Sequence, residues 1–178
     1  MHNRYFIGLT LPDELSERIH ELQNEFHEPG KTMQPLVPHI TLLPPNLLMS
    51  VSPMYLLPKL RPLGKAFLPL NIHLAATDMF GARVLFLTVE NDRLKKLRRE
   101  MLDLLPEKVQ KSYSTEYSFT PHVTLLQAKP KQALPDETIK AFTHRLEPLL
   151  PREYTANRLH VFTRTKPRTY TVRPVNKR

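Results

Sequence analysis

Pro38-His39-Ile40-Thr41-Leu42-Leu43 and Pro121-His122-Val123-Thr124-Leu125-Leu126 are one phrase written twice, with nearly half of the 178-residue chain between the copies. They differ only at Ile40 against Val123, two β-branched apolar residues. A proline followed by alternating β-branched and apolar positions reads as a strand with a sharp start. Side chains alternate across a strand, so His39 and Thr41 share one face while Ile40 and Leu42 take the other. His122 and Thr124 stand in the same relation to Val123 and Leu125. Within a copy the His and Thr lie about 6.6–7 Å apart along the strand, so one tetrahedral phosphate reaches both. Two such strands facing each other gather two imidazoles and two hydroxyls on one anionic group.

A single His-x-Thr is commonly a polar pair on a half-solvated face. Duplication for packing alone needs the apolar positions and gives no reason to keep both polar ones. The chain also supplies controls. His73-Leu74-Ala75 and His160-Val161-Phe162 are histidines in strand-like runs without Thr two places on, and they read as structural or exposed. His20 and His27, on a predicted helix without a carboxylate pattern, read as surface residues.

Outward from the two motifs, the hydrophobic pattern predicts a repeated alternation. Strands are expected over residues 3–10, 37–43, 66–78, 82–90, 117–128, 153–163 and 168–175, with the third and fourth forming a hairpin that turns near Phe80-Gly81-Ala82. Residues 12–28 carry Leu15, Ile19, Leu22 and Phe26 at helical spacing, and residues 91–105 carry Leu94, Leu97, Met101 and Leu104. Another helix is expected over 135–150 and a short one within the Pro-rich stretch 44–65. The order is close to a twofold plan. It predicts a single α+β domain over residues 1–178, bilobed and pseudo-twofold, with two mostly antiparallel sheets, helices outside and a central cleft holding the His-x-Thr strands.

Composition bounds the chemistry. With 40% hydrophobic and 24% charged residues the chain is ordinary for a globule. It holds no apolar run near the roughly 18 residues that a membrane span needs. The absence of cysteine removes disulfides, thiolate metal sites and cysteine nucleophiles; a cytoplasmic location and a monomeric state are expected. Lys and Arg number 26 against 17 acidic residues, a net charge of +9. Residues 158–178 hold seven basic side chains and no acidic one, a distribution that favours polyanions through counterion release.

The paired motif resembles that of the 2H phosphoesterases, and within them the RNA 2′,3′-cyclic phosphodiesterases, also called 2′-5′ RNA ligase-like proteins. The likeness runs over almost the whole chain. It is carried by His39, Thr41, His122 and Thr124, by the opening Asn3-Arg4-Tyr5-Phe6-Ile7-Gly8-Leu9, and by the tail Thr165-Lys166-Pro167-Arg168-Thr169-Tyr170. Two places depart from the family pattern. Leu43-Pro44-Pro45 stands where a basic residue and a Gly-containing turn are usual, and Gln127 stands where many members carry Arg. The resemblance implies that His39 and His122 are catalytic and that Thr41 and Thr124 bind the substrate phosphate. Arg168, Tyr170 and Gln127 are further candidates for substrate contact, Arg168 and Tyr170 by sharing a strand face two residues apart.

An imidazole with an ordinary pKa near 6.5 can be neutral while its partner is protonated, so the pair can run base and acid roles together. No metal and no cofactor are required. The expected activity is hydrolysis of a ribose 2′,3′-cyclic phosphate at an RNA end to a 2′-phosphate, the product position following from the resemblance, with 2′-5′ ligation as the reverse. Hydrolysis of 2′-5′ oligoadenylates or another small nucleotide, and a non-catalytic nucleotide- or RNA-binding module, are the alternatives.

Overall fold

In the computed structural model, which describes residues 5–112, 119–150, 153–166 and 168–175, both motif copies form the strands their alternation dictates. The strands in chain order are β1 (Tyr5–Thr10), β2 (His39–Leu43), β3 (Leu70–Phe80), β4 (Val84–Glu90), β5 (His122–Gln127), β6 (Glu153–Ala156), β7 (His160–Lys166) and β8 (Thr169–Pro174). The α-helices are α1 (Asp13–Glu25), α2 (Pro45–Leu48), α3 (Pro53–Phe67), α4 (Asp92–Asp103), α5 (Glu107–Ser112) and α6 (Asp136–Leu146). Asn3 and Arg4 of the opening strand, residues 117 and 118 of the expected second motif strand, Pro167, Lys177 and Arg178 lie outside the described residues.

The α+β class holds, but the expected two sheets are one. Its eight strands run in the order β6-β3-β4-β5-β2-β1-β7-β8, and every pairing is antiparallel. The twofold plan survives inside it. Outward from the centre, β2 is followed by β1, β7 and β8, and β5 by β4, β3 and β6. The halves meet at the two motif strands through the pair Ile40↔Val123. The expected strand over 153–163 is therefore two strands, because β6 closes one half against β3 while β7 pairs with β1 in the other.

The helices tie the two halves together. α1 follows β1 yet packs on β5, and α4 follows β4 yet packs on β2. α1 buries Leu15, Ile19 and Leu22, and α4 buries Leu94, Leu97 and Met101, against a sheet face that includes Ile40, Leu42, Val123 and Leu125. Each fully buried Leu or Ile side chain contributes roughly 1.5–3 kcal/mol. Asn91 starts α4 by accepting from the Leu94 N–H at 2.9 Å. α3 is longer than its prolines suggested. Pro58 and Pro62 lie four apart on its exposed side, opposite the buried Leu56, Leu60 and Phe67, so the carbonyls that lose a donor face water.

Candidate active site

Paired residues in a ladder share a face, and neighbours along a strand alternate. The pair Ile40↔Val123 on the core side therefore brings His39, Thr41, His122 and Thr124 together on the other face. Because the strands are antiparallel, each histidine stands across from the other strand's threonine. The two histidines lie on a diagonal, with backbones about 7–8 Å apart. All four side chains are half-buried.

Both imidazoles are held by the same device. The Nδ1–H of His39 donates to the Val37 carbonyl at 2.6 Å, and that of His122 donates to the Thr120 carbonyl at 2.8 Å. The acceptor is two residues upstream in each case, across Pro38 or Pro121. Proline fixes its own φ and keeps the preceding residue extended, which presents that carbonyl to the ring. Nδ1 is thereby the protonated nitrogen of the neutral ring, and Nε2 is left as the atom that takes or gives a proton.

Each ring is also walled by a stacked pair of phenylalanines. His39 lies 4.8 Å from Phe6 and 4.9 Å from Phe162, whose rings stack at 4.4 Å. His122 lies 4.9 Å from Phe80 and 5.3 Å from Phe86, stacked at 4.0 Å. β1 and β7 supply the first wall, β4 and β3 the second; the strands follow the twofold plan, while the rings do not repeat it position by position, since Phe86 stands opposite Thr124 where Gly8 stands opposite Thr41. Phe162 reaches its place by lying across Gly8, where a Cβ would sit 3.4 Å from its ring and 2.4 Å from the Ile40 carbonyl oxygen.

The motif strands are fastened from behind by the crossed helices. Gln23 of α1, 2% exposed, donates through Nε2 to the carbonyls of Thr124 at 3.1 Å and Leu125 at 2.9 Å. Arg98 of α4 donates through Nε to the Leu42 carbonyl at 3.0 Å. Leu42 and Leu125 are equivalent motif positions. Beyond Gln23, the edge of β5 is continued by the loop after α1, where Met33 N–H donates to the Gln127 carbonyl at 2.7 Å.

The other candidates divide. Arg168 is not on a strand but in the β7–β8 turn, at φ 57°. The shared strand face expected for Arg168 and Tyr170 is therefore not what joins them. Both nonetheless line a cavity of about 180 Å³ beside His39, together with Phe6, Gln34 and Phe162. Arg168 donates from Nε to the Gln34 carbonyl at 2.7 Å and from Nη1 to Gln127 Oε1 at 3.3 Å. His20 lines the same cavity and is half-buried rather than a surface residue, contacting Gln23 Oε1 through Nδ1 at 3.2 Å. Of the control histidines, His73 faces Glu153 at 3.9 Å, and His160 is half-buried on β7, opposite Gly8. A wider depression of about 630 Å³, lined in part by His73, Glu90, Asp92 and Thr120, holds neither motif histidine. Among the described residues no group of three or more His, Cys, Asp or Glu is placed to hold a metal ion, and no helix is long and apolar enough to cross a membrane.

Burial against the phenylalanines pushes the His39 imidazole down to about 4, with His122 and Arg168 adding to the depression and the Val37 carbonyl opposing it. Burial also lowers His122, against the pull of the Thr120 carbonyl. A histidine whose folded pKa lies below its unfolded value of about 6.5 binds fewer protons when folded. Its stabilising contribution is present above that value and is lost as pH falls toward about 4. Denaturant melts at a series of pH values should show stability declining over this window, and His39→Gln should flatten the decline. An unchanged slope in the variant would assign the acid sensitivity to other groups.

The family described as the 2′-5′ RNA ligase superfamily matches residues 11–168. Among solved structures, TT0787 of Thermus thermophilus is similar at a TM-score of 0.64 and 21% identity, covering 97% of this chain and 95% of that one. LigT of E. coli complexed with 3′-AMP gives a TM-score of 0.61 and 20% identity, covering 97% and 94%. LigT complexed with phosphate gives 0.59 and 18%, covering 97% and 93%. At these identities the structural likeness speaks for the fold. No curated protein matches the chain.

Proposed function

The chain belongs to the 2′-5′ RNA ligase superfamily, the 2H phosphoesterases, and from that premise we propose that it opens ribose 2′,3′-cyclic phosphates at RNA ends without a metal ion, leaving a 2′-phosphate. The observation that carries this reading is the pair of imidazoles on one sheet face, each with Nδ1 tied to a backbone carbonyl and Nε2 left for proton transfer. A binding module has little use for two such groups.

In the proposed step the cyclic phosphate lies over Thr41 and Thr124, whose hydroxyls donate to its non-bridging oxygens, where charge builds in the transition state. Water attacks phosphorus as the neutral imidazole takes its proton. The bond from phosphorus to O3′ breaks, and O3′ receives a proton from the protonated imidazole. Each transfer is worth roughly 10²–10⁴ in rate. With an RNA 5′-hydroxyl attacking in place of water, the same exchange forms a 2′-5′ linkage, and its reversal cleaves one. Arg168 and Tyr170, at the cavity beside His39, receive the next part of the RNA backbone. Gln127 holds the Arg168 guanidinium rather than touching substrate itself, which gives the departure from the family's Arg a use.

The test is incubation, with chelator in excess, of the protein with cyclic-phosphate-ended RNA, 2′,3′-cyclic mononucleotides and 2′-5′ oligoadenylates, the product position being assigned by phosphorus NMR. The reading expects opening of the cyclic ends to 2′-phosphates, with a bell-shaped pH profile from the coupled pair. Cleavage of the 2′-5′ oligomers alone would reassign the substrate. Activity that dies in chelator and returns with a divalent ion would reassign the mechanism.

A further inference from the structure

A third imidazole stands at the cleft. His20 and Gln23 lie three residues apart on α1, so their side chains meet on one helix face. Gln23 is 2% exposed, and its Nε2 uses its hydrogens on the carbonyls of Thr124 and Leu125. A carbonyl only accepts, so the amide has one orientation and Oε1 is left as an acceptor. His20 Nδ1 lies 3.2 Å from that oxygen and is therefore the donor. The tautomer of His20 is thus fixed in the same way as those of His39 and His122: Nδ1–H is tied to an oxygen and Nε2 is presented. Among the described residues nothing hydrogen-bonds to this Nε2. The ring lines the cavity of about 180 Å³ beside His39, and Arg168 lines it too. Nε and Nη1 of Arg168 are held by Gln34 and Gln127, which leaves Nη2. The described residues that line this cavity include no carboxylate, whereas Glu90 and Asp92 line the wider depression next to Thr120 and Pro121.

We propose that His20 is a substrate-binding residue: with Arg168 it holds the 5′-phosphate of the nucleoside whose cyclic phosphate reacts between His39 and His122. The proposal rests on the reading of the cleft as a ribose cyclic phosphate site. One ribose separates the two phosphates, and the cavity adjoins His39 itself. Its volume lies below the roughly 300 Å³ at which pockets for whole small molecules begin, so it suits a single group of the substrate. With Nδ1 already protonated, a proton on Nε2 makes the ring a cation that donates to a phosphate oxygen in a charge-assisted bond. The phosphate's own charge favours that form against the repulsion of Arg168 and His39. On another flank of His20, Asp13 and Glu17 border a second hollow, and their charges act in the same direction without lining the phosphate's place. Gln23 ties this ring to the backbone of Thr124, so one buried amide fixes the spacing of the two phosphate sites.

The experiment compares kcat/KM for 5′-phosphoadenosine 2′,3′-cyclic phosphate with that for 2′,3′-cyclic AMP, in the wild type, His20→Ala and His20→Phe. The wild type should favour the 5′-phosphorylated substrate, and His20→Ala should shrink that preference about tenfold, chiefly through KM. His20→Phe, which keeps a ring but no nitrogen, should do the same. A wild type indifferent to the 5′-phosphate, or a preference kept in His20→Ala or restored in His20→Phe, overturns the proposal and leaves the ring as packing. Calorimetric binding of adenosine 2′,5′-bisphosphate against adenosine 2′-monophosphate reads the same preference without turnover. If the protein opens no cyclic phosphate but His20→Ala still erases this binding preference, the phosphodiesterase reading fails and the 5′-phosphate site stands. If cyclic phosphates are opened and neither measurement responds to His20, the reverse holds.

Discussion

His39→Ala and His122→Ala should each lower turnover of a cyclic-phosphate-ended RNA by at least about 10², with thermal melts close to wild type. The size follows from the loss of one proton transfer. The survival of the fold follows from the position of both rings, half-buried on the face away from Ile40, Leu42, Val123 and Leu125. The double variant should be little worse than the poorer single one, because residues that act as a unit do not add. Steady-state rates in chelator, with product quantified by phosphorus NMR, check all three. Near wild-type turnover in either single variant is incompatible with the acid–base pair. Collapse of the fold would mean instead that the Phe6–Phe162 or Phe80–Phe86 wall depends on its imidazole.

Gly8→Ala should be the most damaging small substitution outside the motifs. Its Cβ would stand 2.4 Å from the Ile40 carbonyl oxygen and 3.4 Å from the Phe162 ring. The first contact is with backbone, so the strands must move apart. Overpacking of this kind costs about 1–3 kcal/mol, and for a chain of this size each kcal/mol lowers Tm by roughly 2–4 °C. Catalysis should suffer more than stability. Gly8 pairs with Thr41, and Ile40 sits between His39 and Thr41, so a displacement there moves both. Misplacement of a reacting group by about 1 Å can cost 10² in rate. A melt and a rate measurement on the same preparation decide the matter; wild-type values in both would show that β1 and β2 yield without cost.

The centre of this site was readable because its information is local. His39 and Thr41 sit two apart on one strand, the preceding proline fixes the turn that captures Nδ1, and the second copy repeats both features. The walls were not readable in the same way. Phe6, Phe80, Phe86 and Phe162 come from four strands whose order is set by tertiary pairing, and nothing in Val84-Leu85-Phe86-Leu87 announces that it lies beside His122. The crossing of α1 onto β5 and α4 onto β2 is likewise invisible to periodicity, which shows that Gln23 lies with Leu15, Ile19 and Leu22 but not which carbonyls it meets. The pairing of β2 with β5, which makes one sheet of the expected two, is equally non-local. Arg168 reaches the cavity beside His39 by a route that strand alternation does not show. It sits at a left-handed turn position, tied to Gln34 and Gln127, rather than on a strand face shared with Tyr170. Pro58 and Pro62 concealed the length of α3, because prolines on a water-facing side cost a helix less than composition suggests.

The claim at the centre of this account is that both imidazoles address a single phosphate. Ring-selective histidine NMR, followed across pH without and with a saturating amount of adenosine 2′-monophosphate, tests it most directly. In the free protein the His39 titration should lie near 4, with His122 also below the ordinary imidazole value. A phosphate placed between the rings favours the charged form of each, so both titrations should move upward together when the nucleotide binds. Movement of one ring alone, or of neither, would contradict the shared site.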